Sequence, residues 1–434
     1  MSERHFPPGW KVRQLDQIAG SITSGGTPRS GDTRYYPAYG GLPFAKIEDL
    51  TASKGHYLSE CELHVSEEAL NESAAKRYPV GTILISMYGT IGLVKRAAIQ
   101  LAANQALSAL LPPFECDPDY LLHHLDFIRS EWIKDTGQTT QANINGRAVK
   151  SRSVPLPPLA EQEKIARVLD VLDTQIRQTE ALIAKLERIK QGLLTDLLTR
   201  GIDQNGKLRP TPDHAPHLYK DSPLGRIPRE WEVTLLDKLA QRGSGHTPSK
   251  SVPTYWNGGV RWVSLADSGE LDQVYIYETD KEISDLGIAN SSATKHRAGT
   301  VILSRDAGIG KSAILATEMA VSQHFMAWSC GSHLDKLFLY YWLQWMKPRF
   351  EAIALGSTIQ TIGLAYFKQL LISAPPKVEQ ELIAERLFKT EELIRKNRAL
   401  LGKSAQKKEG LMDDLLTGRV RVSPLLETKE PATA

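Results

Sequence analysis

Between Leu159 and Leu198, apolar positions recur at alternating three- and four-residue steps: Ile165, Leu169, Leu172, Ile176, Ile183, Leu186, Leu193 and Leu197. That spacing predicts a helix burying one seam against another helix. The pattern returns between Lys377 and Leu416, where Ile383, Leu387, Ile394, Leu401, Leu411 and Leu415 each stand 218 residues after a seam position of the first copy. A helix of about forty residues rises roughly 60 Å, well beyond the usual globular length. An amphipathic helix that long must cover its seam. The simplest closed arrangement of two such repeats pairs the helices antiparallel. Thr179 and Asn397 sit near the middle of the two seams, and setting them opposite each other predicts a polar layer that fixes register; the alternative is that both tolerate partial exposure. Gly192 and Gly410 recur inside the helices at the same offset, which suggests a close backbone approach or a kink.

The stretches preceding the helices also match each other. Trp10 aligns with Trp231 and Leu15 with Leu236; Gly26-Thr27-Pro28 aligns with His246-Thr247-Pro248. Predicted strands Leu42 to Ile47 and Val260 to Leu265 lead to Asp49 and Asp267. The clearest match sets Val80-Gly81-Thr82-Ile83-Leu84-Ile85-Ser86 against Ala298-Gly299-Thr300-Val301-Ile302-Leu303-Ser304, a turn entering a buried strand. Glycine-rich loops follow, then Asn104-Gln105 and Ser322-Gln323, then helical patterns over 120–134 and 334–350. Gly137 to Gln141 pairs with Gly356 to Gln360, and prolines at 155–158 and 375–376 close the blocks. The expected boundaries are 1–154 and 227–375 for the two β-rich domains, 155–204 and 376–418 for the helices, 205–226 for an irregular proline-containing linker, and 419–434 for a frayed tail. A two-copy period of this length is a domain duplication rather than a solenoid. The fold class is α+β: two β-rich domains joined by two long antiparallel helices forming a coiled-coil spacer, with a pseudo-twofold internal repeat.

Charge and motif chemistry narrow the function. The net charge of +3 does not by itself signal nucleic-acid binding, and the blocks are near neutral, with 15 Lys/Arg against 16 Asp/Glu in residues 1–150 and 14 of each in 227–375. Any DNA-binding face must come from local clustering or from a partner's charge. Cys61, Cys116 and Cys330 have neither metal-ligand nor disulfide spacing. No signal peptide or membrane span is legible, so the expected location is cytoplasmic with no membrane partner. Gly308-Ile309-Gly310-Lys311-Ser312 resembles the end of a phosphate-binding loop, but Arg305 stands where its first glycine should be. Leu111-Pro112-Pro113-Phe114 has leucine where a flipped-base tetrapeptide needs an acceptor. His123-His124 and His214/His217 lack ligand spacing. No catalytic residue and no metal site is expected.

In order, and twice over, several modest motifs add up. They are the openings Pro8 to Leu15 and Pro228 to Leu235, the Gly-Thr strands, and the helix starts Pro158-Leu159-Ala160-Glu161-Gln162 and Pro376-Lys377-Val378-Glu379-Gln380. The helix endings Leu197 to Arg200 and Leu415 to Gly418 complete the set. The chain resembles, over nearly its whole length, the specificity subunit of a type I DNA restriction-modification enzyme. The resemblance implies two target-recognition domains, each reading one half of a split asymmetric site in double-stranded DNA, and helices that dock two methyltransferase (modification) subunits. It implies that methyl transfer, translocation and cleavage belong to partner chains, with S-adenosylmethionine, ATP and Mg bound there, restriction/translocase subunits joining through the complex, and no cofactor bound by this chain. A methylation-only or related phage-defence complex is the alternative within the same class. An enzyme with its own methyltransferase or nuclease, and a scaffold binding protein alone, are the rival classes.

Loop position and side-chain type single out candidate DNA contacts, since such groups meet phosphates and base edges. In the first domain they are Thr27, Arg29, Lys46, Tyr88, Thr90, Gln105, Thr139 and Gln141. In the second they are Thr247, Ser249, Lys250, Arg261, Arg305, Lys311, Gln323, Thr358 and Gln360.

Overall fold

A computed structural model describes residues 6–134, 143–355 and 361–427. The chain forms two compact units, Met1–Ala181 with Arg398–Ala434, and Leu182–Asn397. Each unit therefore holds one β-rich domain and a stretch of both long helices, which run Leu159–Thr199 and Lys377–Leu416.

The two domains have one topology. In the first unit a five-stranded sheet runs in the order Ala19–Ser24, Leu107–Phe114, Ile83–Ser86, Val94–Ala97, Tyr57–Leu58. The second unit repeats it as Ala240–Ser244, Phe325–Cys330, Val301–Ser304, Ser312–Leu315, Tyr275–Ile276. A four-stranded sheet accompanies each: Leu63–Val65, Leu42–Ala45, Leu101–Ala103, Arg77–Tyr78 in one, and Lys281–Ile283, Trp256–Val263, Met319–Val321, Lys295–His296 in the other. The buried strands Ile83–Ser86 and Val301–Ser304 are continuously apolar up to their serines and lie inside their sheets, as a strand covered on both faces should. Asp49 and Asp267 are structural in both copies. Asp49 accepts from the backbone N–H of Lys46 (2.8 Å) and Glu62 (2.9 Å), and Asp267 from that of Ser264 (2.7 Å) and Asp280 (2.6 Å).

The helix seams are covered by one another and by the sheets. In the first unit Ile165 and Leu169 share a core with Met412, Leu415 and Leu416 and with Leu15, Ile83, Tyr120 and Trp132. In the second, Leu194, Leu197 and Leu198 join Ile383, Leu387, Val301, Trp328, Phe338 and Trp342. An ion pair in each unit marks the antiparallel register: Lys408 with Asp173 at 2.6 Å, and Lys190 with Glu391. Six residues on from these pairs, Thr179 is level with Gly402 and Asn397 with Ala184, so the expected polar layer is replaced by a polar residue facing a small one. Each polar side chain turns back on its own helix instead. Thr179 Oγ1 donates to the Gln175 carbonyl (2.8 Å) and Asn397 Nδ2 to that of Leu393 (2.7 Å). The shift follows from energetics. Matching the apolar layers and the two charge pairs is worth more than one hydrogen bond between partly exposed groups.

The glutamate and glutamine at each helix start tie helix to domain. Gln162 accepts from the Asp117 N–H (2.9 Å) and donates to the Pro157 carbonyl (2.8 Å); Gln380 accepts from Asp335 N–H (2.8 Å) and donates to Pro375 (2.8 Å) and His333 (2.9 Å). The buried Glu379 accepts from Ile202 N–H (2.9 Å), from the Trp231 indole (3.2 Å) and from both terminal nitrogens of Arg209. Burial works against the Arg209 charge, but its hydrogen bonds and charge pairing with Glu379 and Glu230 outweigh this and hold its pKa above the ordinary arginine value. In the first unit Arg421 reaches Glu161 in the same manner, helped by Ser423.

These arginines change the reading of the connecting segments. The expected irregular linker carries Arg209 into the second unit's core and forms a short antiparallel pair, Tyr219–Lys220 with Ile227–Pro228. Of the expected frayed tail, Arg421, Val422 and Ser423 are fixed against the first unit, with Val422 buried. Proline content and polarity predicted loose chain because a single buried side chain in an irregular segment leaves no periodic signal.

Gly192 and Gly410 make no close approach: a side chain at either would meet nothing within 4 Å, and each helix is continuous through its glycine. Gly192→Ala and Gly410→Ala are each expected to stabilise the chain by roughly 1 kcal/mol, read as a higher urea midpoint with unchanged slope. A fall in midpoint would mean that these positions serve some packing role in the free chain.

Candidate nucleic-acid interface

Two candidate pairs from the sequence meet in space, one in each unit. Thr27 follows the first strand of its sheet, and Gln105 lies in the tight turn between strands Leu101–Ala103 and Leu107–Phe114. Their side chains are hydrogen bonded, as are those of Thr247 and Gln323 at the same place in the second unit (2.5 Å). Glycine makes the meeting possible. A Cβ on Gly25 would lie 1.7 Å from the Ala103 carbonyl oxygen, and one on Gly245 would lie 1.6 Å from that of Val321. Only a residue without a side chain lets the two backbones cross there. The threonine hydroxyl donates to the glutamine carbonyl oxygen, which leaves the amide N–H groups of exposed Gln105 directed to solvent. In the second unit Gln323 Nε2 lies 3.3 Å from His324 Nε2, and His324 Nδ1 lies 2.6 Å from Asp306. An exposed glutamine amide on a rigid two-sheet junction suits adenine, whose major-groove edge offers one acceptor and one donor.

Lys46 joins the first pair. It lines, with Thr27, Tyr36, Phe44 and Asn104, a surface cavity of 370 Å³. Arg29 is exposed on the same loop, and Lys250 and Ser249 are exposed on the matching loop of the second unit, with Ser249 hydrogen bonded to Ser251 (2.8 Å). Tyr88 is exposed as well.

Other candidates are engaged internally. The Thr90 hydroxyl is buried, while its carbonyl accepts from Ser86 and closes the loop. Lys311 donates to the carbonyl (2.9 Å) and hydroxyl (3.0 Å) of Ser268, so its ammonium is engaged by a turn. Arg261 is held by Glu278 through two bonds of 3.1 and 3.0 Å. Arg305 is half-buried, its carbonyl accepting from Ile362 N–H (2.8 Å). Thr139, Gln141, Thr358 and Gln360 lie outside the described residues.

The sequence reading passed over one basic group. Arg147 and Lys150, on the short helix Gly146–Lys150 capped by Asn145, line a 590 Å³ cavity with Thr23, Ser24 and Ser108. Their three-residue spacing was the available signal, and it is too common to stand alone. The cysteines supply no reactive thiolate: burial pushes the Cys61, Cys116 and Cys330 thiols up to about 12. Among the described residues no helix is long and apolar enough to cross a membrane.

With this geometry established, comparison with known proteins converges. A model of the type I restriction modification DNA specificity domain matches residues 7–188 and again 228–401. The putative type I restriction enzyme MjaX specificity subunit of Methanocaldococcus jannaschii is 26% identical over 434 residues, 96% of this chain and 95% of that one. The MjaIX specificity subunit of the same organism is 23% identical over 426 residues, 97% and 95% of the two chains. Among solved structures, the S subunit of a type I restriction-modification system from M. genitalium superimposes with a TM-score of 0.60 at 12% identity, covering 96% of this chain and 97% of that one. A chain from a structure addressing complex assembly and conformational transition of a type I system gives 0.57 at 17% identity, covering 96% and 100%. These two share the fold.

Proposed function

The chain belongs to the type I restriction-modification DNA specificity family, and from that premise we propose that each unit reads one half of a bipartite, asymmetric site in double-stranded DNA. The observation that carries this reading is the recurrence of one exposed Thr–Gln pair, at equivalent positions, in both units. The surrounding residues differ between the copies. Lys46 and Arg29 flank the first pair, while His324 and Lys250 stand near or on the loops of the second, as two unlike half-sites would require. Arg29, Lys250, Arg147 and Lys150 grip phosphate, and the glutamines read base edges. The long helices dock two modification subunits, so that methyl transfer, ATP-driven translocation and cleavage, with S-adenosylmethionine, ATP and Mg, reside in those and the restriction chains. This chain supplies sequence choice and no catalytic group.

Mapping methylated adenines in the host genome with and without this gene tests the reading. The expected outcome is a motif present only with the gene, made of two specified segments separated by an unspecified gap. An uninterrupted motif, or an unchanged methylation map, overturns it.

A further inference from the structure

The described residues hold one cluster of metal-ligating side chains, away from the Thr–Gln pair of its unit. His56, His123, Asp170 and Asp173 each offer an atom within 4.8 Å of the others. Three elements contribute: the turn before strand Tyr57–Leu58, the helix Pro118–Phe127, and one face of the first long helix, where Asp170 and Asp173 are three residues apart. His123 is fully buried. Its Nε2 lies 2.9 Å from Asp170 Oδ1, while its Nδ1 has no hydrogen-bond partner and lies 4.0 Å from Asp173 Oδ2, which also has none. His56 repeats the arrangement, with Nε2 3.6 Å from Asp126 Oδ2 and Nδ1 3.6 Å from the same Asp173 Oδ2. Each imidazole thus faces a carboxylate through one nitrogen and directs the other at a common point. That is how carboxylates fix the tautomer of metal-ligating histidines. Neighbouring ligands around a tetrahedral zinc with bonds of about 2.0–2.1 Å stand about 3.4 Å apart, so 3.6 and 4.0 Å need only a small contraction.

The second unit serves as an internal control. By the repeat offset, His56, His123 and Asp170 correspond to Val274, Tyr341 and Phe388. The match at His56 is confirmed by the backbone, since Arg96 N–H donates to His56 (2.8 Å) as Ile314 N–H donates to Val274 (2.6 Å). Asp173 corresponds to Glu391, and both pair with a lysine of the opposite helix, Lys408 and Lys190. The junction between domain and helices therefore needs the carboxylate–lysine pair but neither histidine. Lys408 occupies Asp173 Oδ1 and leaves Oδ2 for another cation. Lys95 holds the turn that carries His56, donating to the carbonyls of Ser53 (2.7 Å) and Gly55. Arg177 lies beside Gly55.

We propose that the first unit binds a divalent transition metal of the zinc class through His56 Nδ1, His123 Nδ1 and Asp173 Oδ2, with Asp170 and Asp126 orienting the imidazoles and a water molecule as the fourth ligand. Two nitrogens and one carboxylate oxygen suit zinc better than calcium or magnesium, which take oxygen ligands. The metal would fasten the recognition domain to the first long helix, a role independent of which bases the domain reads.

The test uses the full chain, stripped with chelator and titrated with zinc sulfate. The expected result is one zinc per chain retained through gel filtration, with the thermal midpoint raised by about 5 °C at a hundredfold excess over the dissociation constant. A variant carrying His56→Val, His123→Tyr and Asp170→Phe, the residues of the second unit, should retain no zinc and show no metal-dependent rise. Cobalt substitution of the unaltered chain reads the site without any variant and should give the intense visible bands of a four-coordinate centre. No retained metal, zinc held equally by the triple variant, or only the weak bands of six-coordinate cobalt would overturn the proposal.

Discussion

Arg209→Met is expected to destabilise the second unit by about 3–5 kcal/mol, because it strands the Glu379 carboxylate in the core without its cation. Glu379 is 8% exposed and Arg209 7%. After the substitution only the Ile202 amide and the Trp231 indole would remain to solvate the charge. A surface ion pair would lose under about 1 kcal/mol, so magnitude separates the two cases. Urea unfolding measures the total. Hydrogen exchange then locates it, with protection lost first around Ile202 and Trp231. Removing both partners, with Arg209→Met and Glu379→Leu together, should recover part of the loss, since no buried charge is then left unpaired although the Ile202 amide and the Trp231 indole lose their acceptor. The equivalent Arg421→Met in the first unit should cost a comparable amount, because Glu161 is only 4% exposed and would keep little beyond the Ser423 hydroxyl. A drop below about 1 kcal/mol for Arg209→Met would mean that Glu379 gains a proton or a water without penalty, and the account of the helix starts would have to change.

Gln105→Ala and Gln323→Ala are the second pair of large effects. Each should weaken binding of the assembled complex to its cognate site by about 1–3 kcal/mol, roughly 5- to 150-fold, and relax one position in one half of the site only. Discrimination against base changes in the other half should be unaffected by the same substitution, which distinguishes base reading from general loss of affinity. Arg29→Ala should instead weaken all sequences alike and reduce the salt dependence of binding. If both glutamine variants methylate the original motif with unchanged selectivity, the Thr–Gln pairs are architectural, joining the sheets and reading nothing. Thr27→Val and Thr247→Val provide the companion measurement. Freeing the glutamine carbonyl should broaden selectivity while leaving the fold intact.

Much of this was legible beforehand, for identifiable reasons. The helices announced themselves because a seam of about forty residues has a period that sequence displays directly. The duplication did so because Gly81/Gly299 and Glu161/Glu379 answer a steric or buried-charge demand that few other residues meet. Loop position and side-chain type single out each member of the Thr–Gln pairs but not their pairing, because the close approach at Gly25 and Gly245 that brings them together leaves no signal in the order of residues. Lys311 and Thr90 were chosen by loop position, yet their polar groups turn inward. Position along a loop says nothing of which way a side chain points.

Sequence alone determined that the chain is a repeat, that two long helices follow the two blocks, and that the family is one that recognises DNA. Each of these depends on periodicity or on local constraint, which the order of residues carries. The tertiary structure decided the helix register, the burial of Arg209 in a segment that reads as a linker, the fixing of Arg421 in one that reads as a tail, and the meeting of His56, His123 and Asp173. Those outcomes turn on residues far apart in sequence whose energies depend on which water is excluded and which charge lies opposite, and neither is defined until the chain has closed on itself.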